Sequence, residues 1–355
     1  MSPLVLGSRT ASPFLTHEWL SSWWSVFGPG KELLLLAARS QADEPPEAVA
    51  PLMILREGGI RIIRFIGWGI SDSLDFIVRP TDLESVPAFF RYLLGGSPKW
   101  DLLWLGDFIA DEEIIRSVER TASEAGLMSR RIRTTRAPYF AVEGSWDGFI
   151  AGKSRHFRRI LKQKEDRLSR GERSVGIERI RESFGPGTLS EMRTVEAGSW
   201  KSRELAGTPE KRREKEFLER ALGALAASGW VDLWLARVDG SPAAYQINLD
   251  FAGKSWIYNN AFDRSFAELS LGAVLMKRTV EEAFRSGKKE CDFLRGEEAF
   301  KGAWTGTARD VIQIVLRRPG LRSRLAFAWT MGVLRNARRL RSRIRQRIGR
   351  KEERR

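Results

Sequence analysis

The sequence predicts an α/β protein on a mixed sheet, with two similar units in tandem and a basic C-terminal helix. Three observations predict it. Strand-like and helix-like segments alternate along the chain, the pattern that α/β folds produce. One order of segments (helix, hairpin, third strand, loop, helix, strand) is read twice, over about 68 residues from Glu32 to Trp100 and about 61 from Trp230 to Cys291. And 42% of the 355 residues are hydrophobic, enough to bury real cores. The units are placed at 1–145 and 146–318, with a tail at 319–355.

The elements follow in order. Thr16-His17-Glu18-Trp19-Leu20 opens an aromatic-rich helix that ends near Gly28-Pro29-Gly30. Glu32–Ala38 and Ala48–Leu55 read as strands across an acidic, proline-containing loop, and Gly58-Gly59 turns the chain into a third strand, Ile60–Ile66. After the glycine-rich Gly67-Trp68-Gly69 come a short strand Leu74–Val78, a helix Leu83–Leu94, a buried strand Trp100–Leu105, a helix Glu112–Ala125 and a strand Pro138–Val142. Phe157, Ile160, Leu161 and Leu168 then fall near one helical face among Arg158, Arg159, Lys162 and Lys164. Helices Leu189–Arg203 and Lys211–Ala227 flank a break at Gly207-Thr208-Pro209. Trp230–Val238 and Pro242–Phe251 form a hairpin across Asp239-Gly240, followed by a strand Lys254–Ala261. Leu271–Arg285 is a helix stopped at Gly287, and Cys291–Leu294 and Val311–Leu316 are strands.

Composition excludes several classes. One cysteine, Cys291, rules out a disulfide framework within the chain, and two distant histidines, His17 and His156, argue against a histidine-rich metal site. No uncharged apolar run nears the roughly 18 residues of a membrane helix. The N-terminal residues lack a secretory pattern, so a cytoplasmic location is expected. The net charge is +15, but Pro319–Arg355 holds 13 basic and 2 acidic residues and so carries +11 of it. A body of only +4 makes nucleic acid a weaker expectation, and the tail points to an anionic surface.

Two constellations carry chemistry. Tyr258-Asn259-Asn260 ends a strand, and Ser270-Leu271-Gly272 starts a helix. A helix start offers unpaired N–H groups and a positive dipole end, Ser270 can cap it, and Gly272 lets a phosphate near the backbone. The alternative is an ordinary capped helix. The second runs Asp292-Phe293-Leu294-Arg295-Gly296-Glu297-Glu298-Ala299-Phe300-Lys301-Gly302-Ala303-Trp304 from a strand end, where α/β proteins place ligands. Its alternative is a solvated loop with surface ion pairs.

The second constellation resembles the closing motif of GNAT-superfamily acyltransferases of the CelD, cellulose-biosynthesis type. Ser270-Leu271-Gly272 is similar to that family's serine-proline-glycine helix start, with Leu271 in place of proline. Ser154–Leu168 resembles the family's arginine-rich helix. Trp19–Trp24 and Gly67-Trp68-Gly69 with Ser71, Asp72 and Asp75 resemble its N-terminal region. The likeness spans about residues 12–317 and extends, more distantly, to Fem-type aminoacyl-transferases, which pair two GNAT-like units. The resemblance implies acyl-CoA as donor, an amine or hydroxyl acceptor such as a saccharide or cell-envelope precursor, and no metal. The usual Arg/Gln-x-x-Gly-x-Gly/Ala donor loop is absent, since Ala267 and Ser270 stand at the first and fourth of its positions.

A thioester is already activated, so the protein has to align the acceptor, take a proton and polarise the carbonyl. A strand N–H near Asn259 or Asn260 can polarise it, Glu268, Glu297 or Glu298 can act as base, and Tyr258 can protonate the leaving thiolate. Asn260, Ser270, Leu271 and Gly272 are the candidate donor-binding residues. Arg295, Lys301 and Trp304 are the candidate acceptor-binding residues. A tRNA-dependent aminoacyl-transferase and a non-catalytic binding module are the competing readings. His156 reads as part of a solvated basic helix, Cys291 as core, and Asp72 and Asp75 as turn residues or a carboxylate pair. In the tail, Leu321, Leu325, Trp329, Val333, Ala337, Leu340, Ile344 and Ile348 keep helical spacing among seven arginines between Arg335 and Arg347. Such a helix suits an anionic membrane face, with packing on its own domain or binding RNA as alternatives.

Overall fold

The computed structural model describes residues 2–41, 43–96, 98–109, 111–181, 184–199 and 208–332. Twelve strands form one mixed sheet. In the first half they are β1 (Glu32–Ala38), β2 (Ala48–Glu57), β3 (Ile60–Phe65), β4 (Ile77–Val78), β5 (Leu102–Ile109) and β6 (Met128–Ala141). In the second they are β7 (Val175–Ile180), β8 (Val231–Val238), β9 (Ser241–Phe251), β10 (Lys254–Phe262), β11 (Glu290–Asp292) and β12 (Ala308–Arg317). The order across the sheet is β1-β2-β3-β5-β12-β6-β11-β10-β9-β8-β7, with β4 paired to β2.

The expected tandem repeat is present in the topology. In the first half an antiparallel run β1-β2-β3 meets β5 in parallel, after a crossover containing the helix Ser85–Leu94. In the second half β8-β9-β10 meets β11 in parallel, after a crossover containing the helix Leu271–Arg285. A parallel pair needs such a crossover, and a helix packed on the sheet supplies it.

The last strand of each half is exchanged. β12 lies between β5 and β6, while the end of β6 pairs with β11. The long antiparallel seam of β6 and β12, from Met128↔Arg317 to Pro138↔Ala308, joins the two halves into one sheet.

Aromatic packing joins them a second time. The helix His17–Phe27 is capped by Thr16, whose hydroxyl accepts the Trp19 N–H. Trp19 meets Phe217 of the helix Pro209–Ala227 edge-on at 4.9 Å. Phe14 and Trp19 also reach Tyr258 on β10, with ring centroids 5.9 and 5.5 Å away. The main buried cluster therefore runs from Val5 and Phe14 through the first half to Phe217, Tyr245 and Trp256. A second cluster gathers Phe140, Leu161, Val280, Cys291, Phe293 and Trp304, which bears out the core reading of Cys291.

Some local expectations are corrected. The strand expected at Pro138–Val142 begins at Met128, because the arginine-rich stretch before Pro138 pairs with β12 while its arginine side chains stay at the surface. β7 is an additional strand on the far edge. The helix expected at Leu189–Arg203 is observed as Pro186–Gly198. Arg203 and Gly207 of the expected break lie outside the described residues, as does the tail from Val333 on.

Candidate active site

Strand β10 opens the site. It pairs with β11 only over Lys254–Trp256, opposite Glu290–Asp292, and then runs on to Phe262 paired with β9. On its other side the register with β9 shifts between Ile257 and Asn259, so Tyr258 is a bulged residue. A bulge re-aims a side chain and loosens the local ladder. β10 and β11 thus part after Trp256, and the backbone groups of residues 257–262 no longer meet β11.

Beyond β10 the chain makes a 3-10 turn, Arg264–Leu269, and then Ser270 at φ 54° and ψ 36°. This left-handed residue starts the helix Leu271–Arg285 with no hydrogen bond from its side chain to the helix. Ser270 is therefore not the side-chain cap expected of it, because a left-handed backbone replaces the extended N-cap conformation that aims a hydroxyl at the first turn. The amides of Ala273 and Val274 donate to the Ser270 carbonyl at 3.0 and 3.4 Å, which leaves those of Leu271 and Gly272 to a ligand. Gly272 faces the end of β10, and a Cβ there would meet only Phe262 Cδ1, at 3.9 Å. The Leu271 side chain is buried with Leu269 and Leu275, so only its backbone is available to a ligand. Asn260 is exposed on β10 and donates to Gln246 Oε1 at 3.3 Å.

A basic helix flanks this corner. Arg155–Arg170 starts at Ser154, whose hydroxyl accepts the Phe157 N–H. Its C-terminal end reaches the corner, where Arg167 donates to the Glu268 carbonyl at 2.6 Å, while the exposed Arg155, Arg158 and Arg159 lie at its other end, where Phe157 meets Trp304. Fixed cations beside free helix amides suit a polyphosphate donor.

The other wall comes from the first half. Arg295, three residues past β11, sends Nε to Asp72 at 2.5 Å and Nη1 to Asp107 at 3.0 Å. Its Nη2 donates to the Gly69 carbonyl at 3.4 Å. Gly67 sets this loop at φ 95°, where a Cβ would come within 2.6 Å of Ser71 Oγ. That same hydroxyl accepts Trp19 Nε1–H at 2.8 Å. Burial pushes the Asp72 carboxyl up to about 6, against the opposing pull of Arg295. Asp107, in a left-handed backbone at φ 63°, is also raised by burial. Beside it Arg64, 2% exposed, sits between the faces of Trp68 and Trp104, at 3.7 and 4.1 Å, and burial lowers it to about 10.

Tyr258 faces this cluster. Burial first, then the Asp72 charge, pushes its phenol far above its usual range, with Arg295 opposing. The phenol keeps its proton at neutral pH. It is thereby available as a hydrogen-bond donor, and passing the proton fully to a thiolate, as expected from the sequence, would be uphill.

The structure thus sets Tyr258 beside Asp72 and Arg295, and Asn260 and Gly272 along the far end of β10, and it separates the rest. Glu268 is exposed on the 3-10 turn, and Glu297 is exposed in the loop after β11. Lys301 is buried, with Nζ 3.0 Å from the Arg295 carbonyl and 2.9 Å from Glu298, so it braces the loop instead of facing a ligand. Trp304 is core, edge-on to Phe157 at 5.0 Å, and Lys153 donates to its carbonyl. Asp75 is not in a turn but buried in the stretch leading into β4, accepting from Thr10 Oγ1 at 2.6 Å and from the Phe76 N–H. Asp107 and Arg64 are additional site residues. Their sequence signal is faint: a charge inside an otherwise apolar strand, Asp107 following Gly106.

Residues 155–302 match the family model described as an acetyltransferase (GNAT) domain. That segment contains the parting of β10 and β11, the open helix start and the basic helix. Similar solved structures include FemX, 11% identical, with 88% of this chain and 94% of that chain covered at a TM-score of 0.65. The C-terminal DUF2156 domain of a putative lysylphosphatidylglycerol synthetase from Agrobacterium fabrum is 13% identical over 92% and 93%, with a TM-score of 0.56. L-PGS from Bacillus licheniformis is 12% identical over 86% and 92%, with a TM-score of 0.53. At such identities the likeness is one of fold. No curated protein matches the chain in sequence. Among the described residues no cluster of His, Cys, Asp or Glu is arranged for a metal ion, and no helix is long and apolar enough to cross a membrane.

Proposed function

We propose that this protein moves an acyl group from acyl-CoA to an amine or hydroxyl acceptor, with the second half holding the donor. The observation that carries the reading is the parting of β10 and β11 beside an uncapped helix start. The diphosphate binds the amides of Leu271 and Gly272, the basic helix meets the outer phosphates, and the thioester enters where the strands part. An N–H of the bulged segment polarises its carbonyl. The acceptor approaches from the side of Asp72, Asp107 and Arg295.

The acceptor's nitrogen or oxygen attacks the carbonyl carbon, and its proton goes to a base. The tetrahedral intermediate then collapses, breaking the carbon–sulfur bond and releasing the thiolate. Asp72 is the base this site favours over the exposed Glu268 and Glu297, because its raised carboxyl lies close to neutrality. Tyr258 donates a hydrogen bond to the leaving sulfur. The closing motif's likeness to the CelD type supports a saccharide or cell-envelope acceptor, and the basic tail from residue 319 on supports a peripheral place on the inner membrane face.

Calorimetric titration of the full chain with acetyl-CoA and longer acyl-CoAs tests the donor. The fold has room for a side chain at Gly272, so Gly272→Glu should fold normally and lose acyl-CoA binding by about tenfold or more, a charge set against the diphosphate. Equal affinity in wild type and variant overturns the assignment. No binding to any acyl-CoA turns the reading to a charged-tRNA donor or a non-catalytic module.

A further inference from the structure

The chain leaves β12 through Arg318, which donates to the Leu94 carbonyl at 3.1 Å, and residues 321–332 form a helix on the first half. One face of this helix packs inward. Ser323, Ala326 and Thr330 are buried, and Phe327 and Met331 lie against the main core. Arg322 fixes the helix to the body through Asp101, at 3.2 Å, and the Gly59 carbonyl.

The opposite face is apolar and uncovered. Leu321, Leu325 and Trp329 are 70%, 63% and 55% exposed. Spaced four apart, they form one stripe along the helix. The helix cannot turn this stripe inward without exposing Ala326 and Thr330, so packing on its own domain does not account for it. Arg322 and Arg324 are exposed on the same helix. The sequence then continues with 11 basic and 2 acidic residues from Arg335 to Arg355. An apolar stripe among dense cations complements an anionic bilayer, whose acyl region takes the stripe and whose phosphates take the arginines. RNA would use the arginines but gives two leucines no role.

We infer that the 321–332 helix docks on an anionic lipid bilayer through Leu321, Leu325 and Trp329, drawn to it by the positive charge of the sequence that follows. The inference does not depend on the acyl-transfer reading. The test is sedimentation of the full-length protein with phosphatidylcholine vesicles, with and without roughly one-third phosphatidylglycerol. The comparison variant is Leu321→Ser/Leu325→Ser/Trp329→Ser, whose changes are all at exposed positions, with its fold checked by circular dichroism. Wild type should partition onto the anionic vesicles, weaken at high salt, and partition about tenfold or more better than the variant. Equal partitioning of the two proteins, equal binding to neutral vesicles, or no binding to anionic vesicles overturns the inference. So does binding to RNA in place of vesicles. A concentration-dependent dimer lost in the variant would instead assign the stripe to a second copy of the chain.

Discussion

Arg295 is the residue on which the two halves meet, and its chemistry limits what it can do. Its guanidinium is already shared between Asp72 and Asp107, so it holds a wall of the site and is not a free cation for an acceptor. Arg295→Met would leave two buried carboxylates without a counter-charge and should destabilise the protein by about 3 kcal/mol at pH 7 in urea titration. The loss should be smaller at pH 5, where Asp72 can take up a proton. Asp75 makes a separate prediction. Burial raises its carboxyl from 3.8 to about 7, so between those values the native state keeps a proton that the unfolded chain has released. Stability should therefore fall as pH rises from about 4 to 7, by about 1.4 kcal/mol per unit at most from this group. Asp75→Asn should reduce that slope, as measured by denaturant midpoints across the range. Asp292, raised by burial to about 6, adds to the same trend.

At the scale of elements, the site depends on where strands stop pairing. Tyr258 reads as a strand residue in the sequence and is one. What the sequence does not show is that β11 leaves β10 after three pairs, or that Tyr258 is bulged. Pairing length is set by the partner strand, and the partner arrives only through the tertiary fold. The helix Leu271–Arg285 was legible to the residue, since its apolar face and stop signal are local. The arginine-rich start of β6 was not, because half-exposed strands rich in arginine lack the apolar alternation that marks a strand. The basic helix Arg155–Arg170 carries its own prediction. If the cations at its C-terminal end meet the donor's phosphates, Arg167→Gln/Arg170→Gln should weaken acyl-CoA binding about fivefold at low salt. Titration at high salt should nearly erase the difference.

The whole molecule is one sheet made by exchange. β12 sits between β5 and β6, so neither half owns a complete set of strands. A chain ending at residue 307 would expose the edges of both β5 and β6, and it should fail to fold, lacking the protease resistance of the full chain. The full chain should unfold in one transition by fluorescence and circular dichroism, because its main core crosses the boundary near residue 145. The sequence by itself determined the order of the elements, the doubled pattern, the helix start at Leu271 and the concentration of charge in the tail. These rest on periodicity, turn chemistry and composition, which act over a few residues. Only the tertiary structure decided that Asp72, Asp107 and Tyr258 face Arg295, that Lys301 and Trp304 turn inward, and that Leu321, Leu325 and Trp329 turn outward. Those outcomes depend on which surfaces meet across long stretches of chain, and burial, not residue type, then sets the charge and availability of each group.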